Sequence, residues 1–177
     1  MTSEQSFEFD DLDRLTAGTI GPPGQRVFYL QASAAGDVVT FKLEKGQVAA
    51  LVTYITTLLS ELPLAEVGGI EMDLIEPVVP EWVVGAIGVS YDEATDRVVV
   101  VAQELVTRDE DEPEPSDDED LDAGVARFSA TREQAAALVA RGVELIAAGR
   151  PTCSLCGNPI DPEGHVCPRM NGHKRPG

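Results

Sequence analysis

Cys153, Cys156, His165, Cys167 and His173 fall within CSLCGNPIDPEGHVCPRMNGH, and they are all the cysteines and histidines of this 177-residue chain. Thiolate sulfur and imidazole nitrogen suit a borderline-soft cation, and a structural Zn2+ takes four such donors in a tetrahedron. Cys153 and Cys156 have two residues between them and are followed by Gly157. That spacing makes a tight turn in which backbone N–H groups bond the sulfurs. His165 and Cys167 have one residue between them and point the same way in an extended segment. The intervening NPIDPEG, with two prolines and a glycine, suits a reversal that brings the second pair back to the first. The expected ligands are Cys153, Cys156, His165 and Cys167. His173 is the alternative to His165, and loop geometry favours His165.

This chemistry does not extend to a recognisable reaction. No H-E-x-x-H accompanies the cluster, and both histidines lie in the metal region, which leaves no Ser/His/Asp or Cys/His nucleophile pattern. AGTIGPPG (17–24) is glycine-rich but lacks the Lys-Ser/Thr pair of a phosphate loop and reads as a turn. An enzyme would need a cleft. Glu76, Glu81, Trp82 and Glu104 are the residues that would line one.

The elements that must carry the cluster look duplicated. TFKLEKGQVAALVT (40–53) aligns without gaps on RFSATREQAAALVA (127–140), matching Phe41 to Phe128 and Gln47 to Gln134. Each reads as a strand running into a helix. Val48, Leu51, Val52, Ile55, Leu59 and Leu62 share one helical face; Ala135, Leu138, Val139, Gly142, Val143 and Ile146 share the other. Thr131 with Gln134 is a capping-box signature. RVFYLQA and DVVTFKLE, split at Ala35–Asp37, form one expected hairpin; WVVGAIGVSYD and DRVVVVAQELV, split near Glu93 and Ala94, form another. SFEFDDLDRL supplies a further strand. The expected fold is α+β: two tandem β-β-β-α repeats packed as a pseudo-twofold antiparallel sheet/helix domain, with a small C-terminal zinc knuckle. Residues 1–149 form the duplicated domain, with repeats at 1–62 and 81–149 joined by EPVVPEW. A disordered acidic loop is expected at 108–122, and 150–177 form the knuckle.

Thirteen basic and thirty-one acidic residues give a net charge of -18, which repels nucleic acid and anionic membranes and favours a partner with a basic surface. Ten of the acidic residues lie in Asp109–Asp122. Residues 150–177 are instead net positive, with Arg150, Arg169, Lys174 and Arg175 against Asp161 and Glu163. The N-terminal MTSEQSFEFDDLDRL has no basic region before an apolar run, so no signal or transit peptide is expected. VAALVTYITTLL is too short to span a bilayer. Cytoplasmic localisation follows, because a reducing compartment keeps such thiols free for metal.

EPVVPEWVVGAIGVSYDEATDRVVVVAQE, EQAAALV and CSLCGNPIDPEGHVCPRMNG resemble an actinobacterial domain-of-unknown-function family over nearly the whole chain. The resemblance implies a gene context near the ligase of mycothiol biosynthesis, a histidine-phosphatase homologue and a protein resembling phosphoinositide-type kinases. It implies no catalytic residue. This chain departs from the family pattern at Ser154, where proline is frequent, and at His173, where an aromatic residue is usual. The second departure favours His165 as ligand. The expected function is that of a non-enzymatic zinc-binding adaptor or regulatory protein that binds another protein; the alternative, whose substrate class the implied gene context supplies, is an enzyme acting on a small thiol or phosphate metabolite in a cleft between the repeats.

Overall fold

In the computed structural model the described residues are 6–107, 123–149, 151–160, 164–170 and 174–175. The acidic loop expected at 108–122 therefore lies outside the described residues. The first strands are β1 (Phe7–Phe9), β2 (Arg14–Ile20), β3 (Val27–Ala34) and β4 (Asp37–Leu43), followed by helix α1 (Lys45–Ser60). After an irregular segment come β5 (Trp82–Asp92), β6 (Arg97–Glu104), β7 (Val125–Ala130) and helix α2 (Arg132–Ala147). The fold is thus α+β, with a seven-stranded sheet in the order β1-β7-β6-β5-β4-β3-β2. The expected antiparallel sheet is corrected to a mixed one: within β2–β4 and within β5–β7 the pairing is antiparallel, but β4 runs parallel to β5, because α1 and residues 61–81 carry the chain back before β5 starts, and β1 runs parallel to β7.

The turn residues explain the hairpins. Ala35 and Gly36 both have positive φ, 53° and 94°, the geometry of the tight two-residue turn whose twist matches its strands. The Asp13 carboxylate accepts the Ala35 N–H at 2.8 Å and so holds that turn. Between β5 and β6, Asp92 accepts the Ala94 N–H at 3.0 Å, and Asp96 takes φ 51°, which a short polar side chain tolerates. AGTIGPPG is the end of β2 and the start of its turn, with Gly21 at φ 107° and Gly24 at φ 89°.

Aromatic distances show that the sheet is rolled. β1 and β4 are four strand spacings apart in the sheet order, about 19 Å if it were flat. Their rings Phe7 and Phe41 nevertheless sit 5.7 Å apart, and Phe41 and Phe128, from β4 and β7, sit 5.8 Å apart. The edge strands β1 and β2 are joined only by residues 10–13, which brings the two edges together. Inside the roll lie Leu15, Leu30, Phe41, Val98, Val100 and Phe128, all nearly inaccessible. Burying a side chain of this size stabilises by about 1.5–3 kcal/mol.

The helices pack on each other and on the core. α1 buries Val48, Leu51 and Ile55, and α2 buries Ala135, Ala137, Leu138, Gly142 and Leu145. The expected apolar face of α2 is corrected at one position, because Val143 is 51% exposed and Leu145 is buried in its place. The buried arc steps 135, 138, 142, 145, and position 143 lies about 100° away from 142. Gly142 sets the approach of the helices: a Cβ there would lie 2.5 Å from Val52 Cγ2.

Gln47 and Gln134 make the same contacts in their two settings. The Gln47 Oε1 accepts the Glu44 N–H at 2.8 Å, and its Nε2 donates to the Val84 carbonyl at 2.9 Å. The Gln134 Oε1 accepts the Thr131 N–H at 2.9 Å, and its Nε2 donates to the Leu12 carbonyl at 2.7 Å. Each amide therefore closes a helix N-terminus and ties it to a strand or strand end.

Residues 61–81 hold more than the linker expected from EPVVPEW. Gln31, 1% exposed, pairs its amide with the main chain of Ile75: Nε2 donates to the carbonyl at 3.0 Å, and Oε1 accepts the N–H at 2.7 Å. Thr16 Oγ1 donates to the Met72 carbonyl, and Arg14 to the Asp73 carbonyl at 2.7 Å. Gly18 makes room for this strap, since a Cβ there would lie 2.4 Å from Leu74 Cγ. Among the described residues no helix is long and apolar enough to cross a membrane.

Candidate metal centre

The cluster begins after α2, where Pro151–Ile160 folds into a hairpin with Thr152 bridged to Pro159. Cys153 N–H donates to the Asn158 carbonyl and Gly157 N–H to the Cys153 carbonyl, both at 2.8 Å, while Ile160 N–H reaches the Pro151 carbonyl at 2.7 Å. These bonds wrap the C-x-x-C turn. Gly157, at φ 75°, takes the left-handed conformation that a side chain resists. A second arm starts after Gly164 (φ 87°): β8 (His165–Val166) pairs antiparallel with β9 (Lys174–Arg175), and a single 3-10 turn covers Pro168–Met170.

The two arms bring together the four expected ligands. One donor atom each from Cys153, Cys156, His165 and Cys167 all lie within 4.8 Å of one another. Cys153 Sγ is 3.9 Å from Cys167 Sγ, and Cys156 Sγ is 3.3 Å from His165 Nε2. A disulfide requires about 2.05 Å, so these are free thiols. Sulfurs bound at about 2.3 Å around a tetrahedral cation stand roughly 3.8 Å apart, close to the observed separation. The donor set fits a metal ion, and these four residues could hold one. The alternative ligand His173 lies outside the described residues.

Local electrostatics prepare one sulfur for a cation. The backbone N–H groups of Cys156 and Leu155 bond Cys153 and outweigh its burial, lowering its thiol from 9.0 to about 6. At Cys156 the Asn158 N–H acts in the same direction, but burial and the sulfurs of Cys167 and Cys153 prevail and raise its thiol. His165 Nε2 faces Cys156, while its buried Nδ1 has no hydrogen-bond partner among the described residues. Cys153 and Cys167 are 3% and 0% exposed, yet neither belongs to the apolar core of the sheet and helices.

Residues 7–167 match the model of a family described as "Protein of unknown function (DUF3090)". The chain belongs to that family. The matched span covers the rolled sheet, both helices and all four candidate ligands, and ends on Cys167. No curated protein and no solved structure matches the chain.

The residues expected to line an enzymatic cleft have other occupations. Trp82, 6% exposed, packs on Phe41 with ring centroids 4.3 Å apart. Glu104 accepts the Gly124 N–H at 3.0 Å and donates its own N–H to the Gly124 carbonyl at 2.8 Å, fastening β6 to the approach to β7. Glu76 and Glu81 are exposed. An open groove of about 470 Å³ lies elsewhere, lined by residues that include Leu64, Glu66, Asp96, Arg97 and Arg132. Asp96 there takes the Tyr91 hydroxyl at 2.6 Å and the Arg132 guanidinium at 3.0 Å, which together hold its carboxyl below the usual range. Sequence reasoning did not single out this groove, because its charges come from three separate segments.

Proposed function

We propose that residues 150–177 form a structural zinc knuckle and that the chain is a non-enzymatic adaptor or regulatory protein presenting a rigid surface to another protein. The observation that carries this reading is the four-donor cluster itself. Three sulfurs and one imidazole nitrogen would supply all four donors of a tetrahedral ion, leaving no position for the bound water that a catalytic zinc requires. Zinc is favoured over iron because a three-sulfur, one-nitrogen set is a common structural zinc site. The ion would close a segment too short to build its own core.

The body supplies the rigidity. We read β2-β3-β4-α1 and β5-β6-β7-α2 as two copies of one β-β-β-α unit related by a pseudo-twofold axis. The matched Gln47 and Gln134, with their identical pairs of contacts, support this reading, as does the element order. The charge of -18, carried outside the net-positive residues 150–177, favours a basic surface where a partner meets the body, and free thiols suit the reducing cytoplasm. Metal analysis of the purified chain, followed by capture of partners with and without residues 150–177, tests the function. One zinc per chain and loss of a partner on truncation are expected. A metal-free chain with an ordered tail and unchanged partners would sink the reading.

A further inference from the structure

We propose that the outer face of the metal knuckle docks an acidic protein segment carrying large apolar side chains. This deepens the adaptor reading and rests on the metal holding the knuckle closed. Leu155 lies between Cys153 and Cys156, and Val166 between His165 and Cys167. Because the donors converge inward, the residues between them are turned out, and Leu155 and Val166 are 42% and 64% exposed. A single exposed apolar residue is ordinary on a soluble protein. Here two occur in one small module, each the immediate neighbour of a donor, with those donors, Cys156 Sγ and His165 Nε2, 3.3 Å apart.

Charge says what covers this face. Residues 150–177 carry Arg150, Arg169, Lys174 and Arg175 against Asp161 and Glu163, a net positive balance within a chain of -18. Arg169 is exposed two residues after Cys167. The register of the small hairpin places Lys174 opposite Val166 and Arg175 opposite His165. Two exposed apolar side chains in a net-positive segment, with Arg169 exposed nearby in sequence, complement an acidic segment with apolar side chains. A nucleic acid fits less well: residues 150–177 contain no Phe, Tyr or Trp on which a base could stack, and a phosphate backbone makes no use of exposed Leu and Val.

The test uses the zinc-loaded full chain and fluorescence anisotropy with three labelled probes: a short acidic peptide bearing two leucines, the same peptide with serines in their place, and a short single-stranded oligonucleotide. The leucine peptide should bind best. Leu155→Ser with Val166→Ser should weaken it about tenfold, and Arg169→Glu by a similar factor, with zinc content unchanged. Zinc lost from the variants but present in the native chain would be a folding effect, and the conservative pair Leu155→Val and Val166→Ile must then retain binding for the proposal to stand. Equal binding of the serine peptide, preference for the oligonucleotide, or self-association through this face that the double variant abolishes would each overturn it. Native chain without zinc would instead overturn the metal reading beneath it.

Discussion

The sheet-and-helix body and the Cys/His tail reach order by different routes. The first region buries Leu30, Phe41, Ile55 and Phe128 completely and ties its helix ends and strap with side-chain amides. In the second, the buried described side chains are Cys153 and Cys167, two of the four clustered donors. A rolled sheet with an apolar interior loses little when one surface contact is removed. A tail closed by one ion loses everything when one ligand goes, because the binding free energy of the metal is also its folding free energy. The difference teaches that the two regions are to be perturbed separately, and that a change confined to one should leave the other measurable.

The largest effect is expected in the body. Phe41 contacts Phe7, Trp82 and Phe128 through its ring, so Phe41→Ala should cost about 3–5 kcal/mol in urea unfolding, with no change in metal per folded chain. In the tail, Cys153→Ser should abolish metal binding and admit protease after residue 149, while the unfolding midpoint of the body stays in place. A midpoint that fell with the metal would mean that the two regions are one cooperative unit. Gly142→Ala should destabilise the body by about 1–3 kcal/mol through its clash with Val52, read as a lowered thermal midpoint at unchanged metal content. The smallest effects sharpen the comparison within the body: Gln47→Ala and Gln134→Ala should each cost about 1 kcal/mol. Unequal costs, well outside that range for one of the two, would argue against equivalent halves.

What the sequence disclosed and what it hid divide along physical lines. Cys153, Cys156, His165 and Cys167 were legible because ligand spacing is local and the turn between the pairs is written in Pro and Gly. Both hairpin turns and the start of α2, marked by Thr131 and Gln134, were legible for the same reason. The strand Arg14–Ile20 was not, since its alternation of Leu15, Ala17 and Thr19 uses small residues and follows directly on SFEFDD. Nor was the strap at 61–81, whose anchors are main-chain groups accepting and donating to Gln31, Thr16 and Arg14. Main-chain recognition leaves little trace in residue type. The exchange of Val143 for Leu145 on the buried face of α2 depends on which way the helix is rolled against Val52, a tertiary fact. The closure of the sheet became visible only through rings from strands far apart in its order.

Hydrogen exchange on a single sample, before and after a chelator strong enough to strip zinc, tests the division of labour most directly. The amides of Gly157 and Ile160 donate to the Cys153 and Pro151 carbonyls, whereas Ile75 donates to Gln31 in the body. The account predicts that stripping the metal exposes Gly157 and Ile160 to rapid exchange and leaves Ile75 and the amides of β3 as protected as before. Gly157 and Ile160 remaining protected without metal, or the body losing protection together with them, would contradict it.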